Sequence, residues 1–365
     1  VLIGAALPLT AQQNPPSGQS VPAPAEPRTQ ESVWTRPLTA PAPRHLTFTE
    51  SVLVTSGAET PLQALALADG APRWTTSLHT TFAPVVAGPL AIVATKDAIA
   101  AVTLADGTSV WTQSLRATVP PIADAACVFV ASGADIVRLR LADGNIVARA
   151  TLPAAATGGL AMAGDAVFVL LEDQTVLRLV ASTLATAWRA PIEGIGTSLL
   201  AAYDRLYIPL QNGGVAAHAQ DNGDFQWMAS AGFPITGIAA GHSRVYVAQL
   251  DTSLRALRAD NGHQAWREVA PRRMAPGLLL IDTRLCAGLV DGAAACWNLS
   301  HEGKPPGKPA LLPVPDTPDS GPPLAPRLHA LAASANGQYV ARVLSNFETQ
   351  WWLTLVRRVD GTPAR

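Results

Sequence analysis

The stretch "LADGTSVW", Leu104–Trp111, decides the fold because it returns. "LADGAPRW" (Leu67–Trp74) lies 37 residues earlier and "LADGNIVA" (Leu141–Ala148) 37 residues later. The phrase extends along the chain as Trp34, Trp74, Trp111, Trp188, Trp227 and Trp266, with steps of 40, 37, 77, 39 and 39. The step of 77 is two repeats, and Ala148 occupies the vacant slot. Four residues before the aromatic slot stands a glycine: Gly70, Gly107, Gly144, Gly223 and Gly262. Asp-Gly and Asn-Gly supply the positive φ that a tight turn demands.

A second ladder runs in phase with the first. Leu53, Ile92, Phe129, Phe168, Tyr207, Tyr246, Cys286 and Tyr339 follow one another at 39, 37, 39, 39, 39, 40 and 53 residues. Each lies in a short alternating run such as "RLYIPL" or "RVYVAQ", the period-2 pattern of a half-buried strand. A unit of about 40 residues with four strand signals and no helical periodicity matches a propeller blade. One four-stranded sheet cannot bury both faces, and radial packing against neighbours solves that. The repeated Trp is then expected to wedge between blades as core.

The expected fold is therefore all-β: an eight-bladed β-propeller of four-stranded antiparallel blades. The last blade lacks its outer strand, whereas "VWTRPL" (Val33–Leu38) has the phrase of an outer strand and no blade of its own. The N-terminal strand is expected to close the ring beside Trp351–Val356, removing an exposed edge. Of the adjacent Trp351 and Trp352, which face opposite sides of a strand, core is the expected fate. Residues 33–365 form the propeller in this reading, with a Pro-rich insertion at 303–326 that accounts for the long step of 53 and the missing Trp of blade seven. Residues 1–11, "VLIGAALPLTA", read as the remnant of a secretory signal peptide, and residues 12–32 as a Pro-rich disordered tether. The expected location is periplasmic or otherwise exported.

Composition narrows the function. Apolar residues make up 48% of the chain and charged residues 15%, and the formal net charge is −1. No long-range field draws such a protein to nucleic acid, and no segment is long enough to span a bilayer as a helix. The seven histidines are scattered without metal-ligand spacing. A P-loop, a Gly-x-Ser-x-Gly elbow and a dinucleotide fingerprint are absent from the sequence. Asp124, Asp165, Asp204 and Asp282 recur about once per blade, as turn formers do.

The cysteines pose a local question. In "CAGLVDGAAAC" a three-residue loop Val290–Gly292, with Gly292 left-handed, sets Cys286 opposite Cys296 and permits a disulfide. A two-residue Asp-Gly turn instead pairs Cys286 with Trp297 and leaves buried thiols. Cys127 stays unpaired in both.

The repeat resembles the quinoprotein-type, or PQQ-like, propeller phrase Ala-Leu-Asp-Ala-x-Thr-Gly followed three residues later by Trp. "ALRADNGHQAW" (Ala256–Trp266) comes closest, and the resemblance runs from Val33 to Gly361. The chain departs from it at Ala66, Thr103, Arg140, Ala219 and Arg258, where the family prefers Asp, and in replacing Thr before the glycine. The resemblance implies one of two functions. Its dehydrogenase branch binds pyrroloquinoline quinone (PQQ) and Ca²⁺ over the channel. Its BamB-like branch binds no cofactor and scaffolds a partner protein of the envelope. A dehydrogenase needs a carboxylate base and hard oxygen ligands, usually built from long insertions. Compact repeats, no adjacent cysteine pair and no catalytic constellation favour a non-enzymatic, monomeric scaffold for an envelope protein partner, with envelope or outer-membrane protein assembly as its setting. A PQQ-dependent dehydrogenase and a ligand-sensing ectodomain are the alternatives.

Overall fold

The computed structural model describes residues 30–358, except 40, 231, 282, 301, 306, 313–326, 336–337 and 347–349. Eight four-stranded antiparallel sheets follow one another in chain order. Blades one to seven cover residues 45–79, 85–113, 122–151, 156–191, 200–229, 235–269 and 279–312. Blade eight takes three strands from residues 327–358 and its fourth from Gln30–Leu38. First strands of neighbouring blades lie beside one another at the centre, blade eight against blade one included, so the ring is closed.

The closing strand pairs as its sequence suggests, with Trp34 opposite Leu355 and Pro37 opposite Trp352. It begins at Gln30, three residues inside the expected tether, because Gln30, Glu31 and Ser32 continue the ladder with Arg358, Arg357 and Val356. The rest of that tether and the expected signal remnant, residues 1–29, lie outside the described residues. Trp352 is buried, and Trp351 is half-buried against the His329 ring at 4.3 Å.

The core lies between blades rather than in one centre. Apolar clusters combine alternate residues of successive sheets, such as Val52, Val54 and Ala64 of blade one with Ala91, Val93 and Ala100 of blade two. The second strands thus bury both faces, against the blade before and the blade after, while the outer strands stay half exposed.

Two expectations need correction. The Pro-rich stretch 303–326 is not a single excursion. Gly303 belongs to the turn of blade seven, and Ala310–Leu312 is that blade's outer strand, held by Cys296 opposite Ala310 and Ala294 opposite Leu312. A short strand survives there because a ladder needs backbone groups and no Trp. Residues 313–326 lie outside the described residues. The second ladder also slips at its ends: the residue in line with the Trp slot is Val54 rather than Leu53, and Ala341 rather than Tyr339.

Candidate functional site

The two sequence ladders meet across blade boundaries. The Trp34 Nε1–H donates to the Leu67 carbonyl (3.1 Å), Trp74 to Leu104 (2.9 Å) and Trp111 to Leu141 (2.7 Å). Trp188, Trp227 and Trp266 donate likewise to the carbonyls of Gln220, Ala259 and Gly303. Every acceptor lies in the turn between third and fourth strands of the next blade. The repeated glycine of that same turn lies under the ring. A Cβ on Gly144 would stand 2.5 Å from Trp111, and one on Gly262 2.4 Å from Trp227. Gly70, Gly107 and Gly223 are as tightly covered by Trp34, Trp74 and Trp188. These glycines have φ between 70° and 80°, so one residue serves both the left-handed turn and the close approach.

The vacant slot is filled from the other side. Where Ala148 replaces Trp, the facing turn carries Leu184 in the glycine position, with φ 59° and its side chain buried against Ala148. At the junction of blades seven and eight the reason for the missing Trp is topological. The third and fourth strands of blade eight come from opposite ends of the chain, so no turn joins them to receive a ring.

These staples are structural, and the loops and turns lie at the two ends of the strands. One end holds the blade-to-blade loops and the turns after each second strand. In blades four to seven it presents exposed apolar side chains: Ile195 (55% exposed), Phe233 (49%), Leu250 (40%), Val269 (61%) and Val290 (42%). Backbone bonds tie the segments together. Gln211 N–H donates to the Ile195 carbonyl, Leu250 N–H to Pro234, Ala270 N–H to Thr252 and Val290 N–H to Arg273. The Phe233 carbonyl would lie 2.2 Å from a Cβ on Gly213, whose φ is 87°, so only glycine lets the two loops stack. Below Phe233 the Gln249 amide donates to its carbonyl at 2.9 Å. The loops are held rigidly while their apolar side chains face water.

On this same end, Cys286 stands opposite Cys296 and the two are bonded, Sγ–Sγ 2.05 Å. Leu289 pairs with Ala293 around Val290–Gly292, with Gly292 at φ 86°, the three-residue loop geometry. The Gly292 carbonyl accepts from buried Arg342 of blade eight at 3.1 Å. Cys127 is a buried free thiol.

The opposite end carries the turns after each first and third strand. Asp124 accepts the N–H groups of Ala126 and Cys127, Asp165 accepts Ser182 N–H, and Asp204 is a left-handed turn residue. These are turn-forming roles. Asp282 and His301 lie outside the described residues. Three grooves open here: about 800 Å³ among blades eight, one and two, beside Phe48, Leu67, Val86, Leu104 and Tyr339; about 610 Å³ between blades four and five; and about 420 Å³ between blades five and six, the last two both lined by Arg205. Tyr207 and Tyr246 are buried in the second strands of blades five and six, with phenols pushed up to about 12 by burial, and Tyr207 donates to the Ala259 carbonyl at 3.1 Å.

The central channel is lined by first strands of the composition "HLTF", "VVA", "IA", "ATGGLAMA", "LAA", "ITGIAAG", "LLI" and "RLHALAA". None contains Asp, Glu, Asn or Gln. Among the described residues no three His, Cys, Asp or Glu side chains converge as metal ligands. The side chains of these strands therefore offer no carboxylate or amide oxygen of the kind that Ca²⁺ takes as ligands. Sequence reasoning missed the apolar loop residues, because they are spread over several repeats and only the ring brings them to one face.

The family model described as outer membrane protein assembly factor BamB matches residues 18–121 and 95–238, together more than half of the chain. BamB from Moraxella catarrhalis has a similar fold, with a TM-score of 0.59 at 20% identity over 68% of this chain and 82% of that one. The quinohemoprotein alcohol dehydrogenase of Pseudomonas putida HK5 superposes with a TM-score of 0.65 at 11% identity over 92% of this chain and 78% of that one. At such identities both share the fold alone. No curated protein sequence matches. The repeat, the staple of Trp on glycine turn and the family match agree: this chain belongs to the PQQ-like propeller family of the outer membrane protein assembly factor BamB.

Proposed function

We propose that this propeller is a non-enzymatic, exported, monomeric scaffold that holds an envelope protein partner, in a process of the outer-membrane assembly type, without quinone or Ca²⁺. The observation that carries this reading is the row of exposed apolar side chains from Ile195 to Val290 on backbone-locked loops of one face. Several exposed apolar side chains on one face of a hydrogen-bonded loop frame are of the kind that protein docking uses. The Cys286–Cys296 disulfide supports an oxidising compartment. The channel strands' lack of carboxylate and amide oxygens weighs against the dehydrogenase reading.

A photo-crosslinking residue placed at Phe233 or Leu250 in the native envelope is expected to give one discrete adduct. Placed at Lys96, an exposed loop residue of blade two, it is expected to give none. Substituting Phe233→Glu together with Leu250→Glu should prevent partner association. With added quinone and Ca²⁺ the purified protein should neither bind quinone stoichiometrically nor reduce an electron acceptor with alcohols or sugars. Turnover in that assay would replace the scaffold reading with the dehydrogenase one.

A further inference from the structure

The end of the propeller opposite the apolar loops carries a second feature. Arg244 and Arg258 are direct cross-strand partners in blade six. Like charges placed directly opposite destabilise a sheet. The same register position holds Leu90 with Thr103 in blade two, Ala166 with Val180 in blade four and Arg205 with Ala219 in blade five. Blade three has one arginine there, Arg140, and neutralises it with Asp143 of its own turn at 2.8 Å. In blade six the aligned turn reads Arg258-Ala259-Asp260-Asn261-Gly262, so an amide stands where blade three has its carboxylate. The Asn261 Oδ1 accepts the His263 N–H and gives Arg258 no counter-charge.

Arg205, Arg244 and Arg258 converge on the groove of about 420 Å³ between blades five and six, beside Tyr203, Ser243 and Asp260. Among the described residues none of the three arginines forms an ion pair within 4.0 Å, whereas Arg140, Arg149, Arg189, Arg267 and Arg272 each do. Arg205 and Arg244 donate to neighbouring backbone carbonyls, of Tyr203 (3.4 Å) and Ser243 (3.1 Å). The groove wall is held by two successive two-residue turns, Tyr203-Asp204 and His242-Ser243. All four residues have φ between 53° and 57°, a conformation that side chains other than Gly and Asn seldom adopt. The Tyr203 hydroxyl accepts Ser243 N–H at 3.1 Å and locks one turn to the other.

We infer that this groove binds an acidic peptide segment, with carboxylates of spaced Asp or Glu residues received by Arg205, Arg244 and Arg258. Guanidinium groups pair with carboxylates in planar, two-point fashion. The adjoining groove of about 610 Å³ shares Arg205 and adds Arg178, but interleaves Asp204 and Asp221. Together with Asp260, these acids repel a dense polyanion such as nucleic acid or an anionic lipid surface. They suit a chain whose charges are spaced and whose backbone N–H groups can meet them. This site lies at the opposite end of the strands from the apolar loops, so a scaffold using both holds two segments at once.

The test is independent of any envelope partner. A fluorescein-labelled octapeptide alternating Glu and Gly is titrated with the full chain and followed by anisotropy. Saturable binding is expected, weakening as salt rises. Arg258→Gln should weaken it at least about fivefold and Arg244→Gln/Arg258→Gln about thirtyfold or more, the scale of losing one and then two charge-assisted contacts. Lys96→Gln, which removes an unrelated surface charge, should leave it unchanged. Relief of the like-charge pair should keep the melting temperature of Arg258→Gln at or above that of the parent, separating lost binding from lost fold. The inference is overturned by absence of peptide binding, by equal binding in the double variant, or by preferential binding of inorganic phosphate or phosphatidylglycerol vesicles.

Discussion

The junction of blades three and four offers a stringent check on the staple, because there both partners have changed. Ala148 stands in the Trp slot and Leu184 in the glycine slot, where Leu184 keeps φ 59° and is 2% exposed. Leu184→Gly alone removes a buried side chain. Large-to-small changes of this kind cost about 2–5 kcal/mol. Relief of a left-handed non-glycine backbone returns about 1–2 kcal/mol, so a net loss of about 0–4 kcal/mol is expected, centred near about 2 kcal/mol. Ala148→Trp alone drives an indole into Leu184, since at the five junctions of Trp34, Trp74, Trp111, Trp188 and Trp227 even a Cβ on the glycine would approach the ring to 2.4–2.8 Å. Overpacking costs about 1–3 kcal/mol. The double variant, Ala148→Trp with Leu184→Gly, rebuilds the arrangement of the other junctions. Its introduced indole Nε1–H can donate to the Ala181 carbonyl in the manner of Trp188 and Gln220. It should fall within about 1 kcal/mol of the parent, giving a coupling of about 3 kcal/mol at the central values of the two single losses, well beyond the additivity seen for independent sites. Urea denaturation followed by far-ultraviolet circular dichroism measures all four proteins. Additivity within about 0.5 kcal/mol would refute the proposition that Trp and glycine turn act as one unit.

Trp111→Phe should cost about 1 kcal/mol by removing the bond to the Leu141 carbonyl, and Trp111→Ala about 3–5 kcal/mol, both read from denaturation midpoints. Deleting residues 1–38 removes the fourth strand of blade eight and exposes the edge of Gln350–Arg358. A lower melting temperature and earlier elution from size exclusion are expected, and an unchanged monomer would contradict ring closure by that strand. Reducing the Cys286–Cys296 bond, whose sequence separation is 10, should destabilise the protein by about 3 kcal/mol, and labelling of the unreduced, denatured chain should find one thiol, Cys127. Burial, with Arg44 beside it, holds the His45 imidazole below its ordinary value of 6.5, while its Nδ1 lies 3.3 Å from Thr80 Oγ1. A depressed imidazole favours the neutral form in the folded state. Its contribution is therefore full above pH 6.5 and is lost as pH falls through the folded value, because the unfolded chain takes up the proton first. His45→Gln should flatten the stability profile below pH 6.5, as measured by urea midpoints at successive pH values.

The sequence by itself determined the period, the number of blades, the strand that closes the ring and two open possibilities for the cysteine hairpin. These rest on local signals. Alternation specifies a strand over five or six residues, Asp-Gly specifies a turn, and repetition multiplies both until chance is excluded. Trp34 was legible as the closing residue because it carries the outer-strand phrase without a preceding blade. What only the tertiary structure decided concerns contacts between repeats. That each Trp rests on the glycine turn of the following blade joins residues 30–37 positions apart, and nothing within either segment names its partner. Nothing in the sequence marks Leu184 as the counterpart of Ala148; the ring brings both into one cluster. The absent Trp of blade seven looked like decay until the split of blade eight showed that no turn exists to receive it. The candidate surfaces belong to the same class: Ile195, Phe233 and Leu250, or Arg205 and Arg258, come from separate repeats and share a face only because radial packing puts equivalent loops at one end of every blade. Local pattern encodes the blade, whereas burial of both sheet faces against neighbours decides which side chains meet.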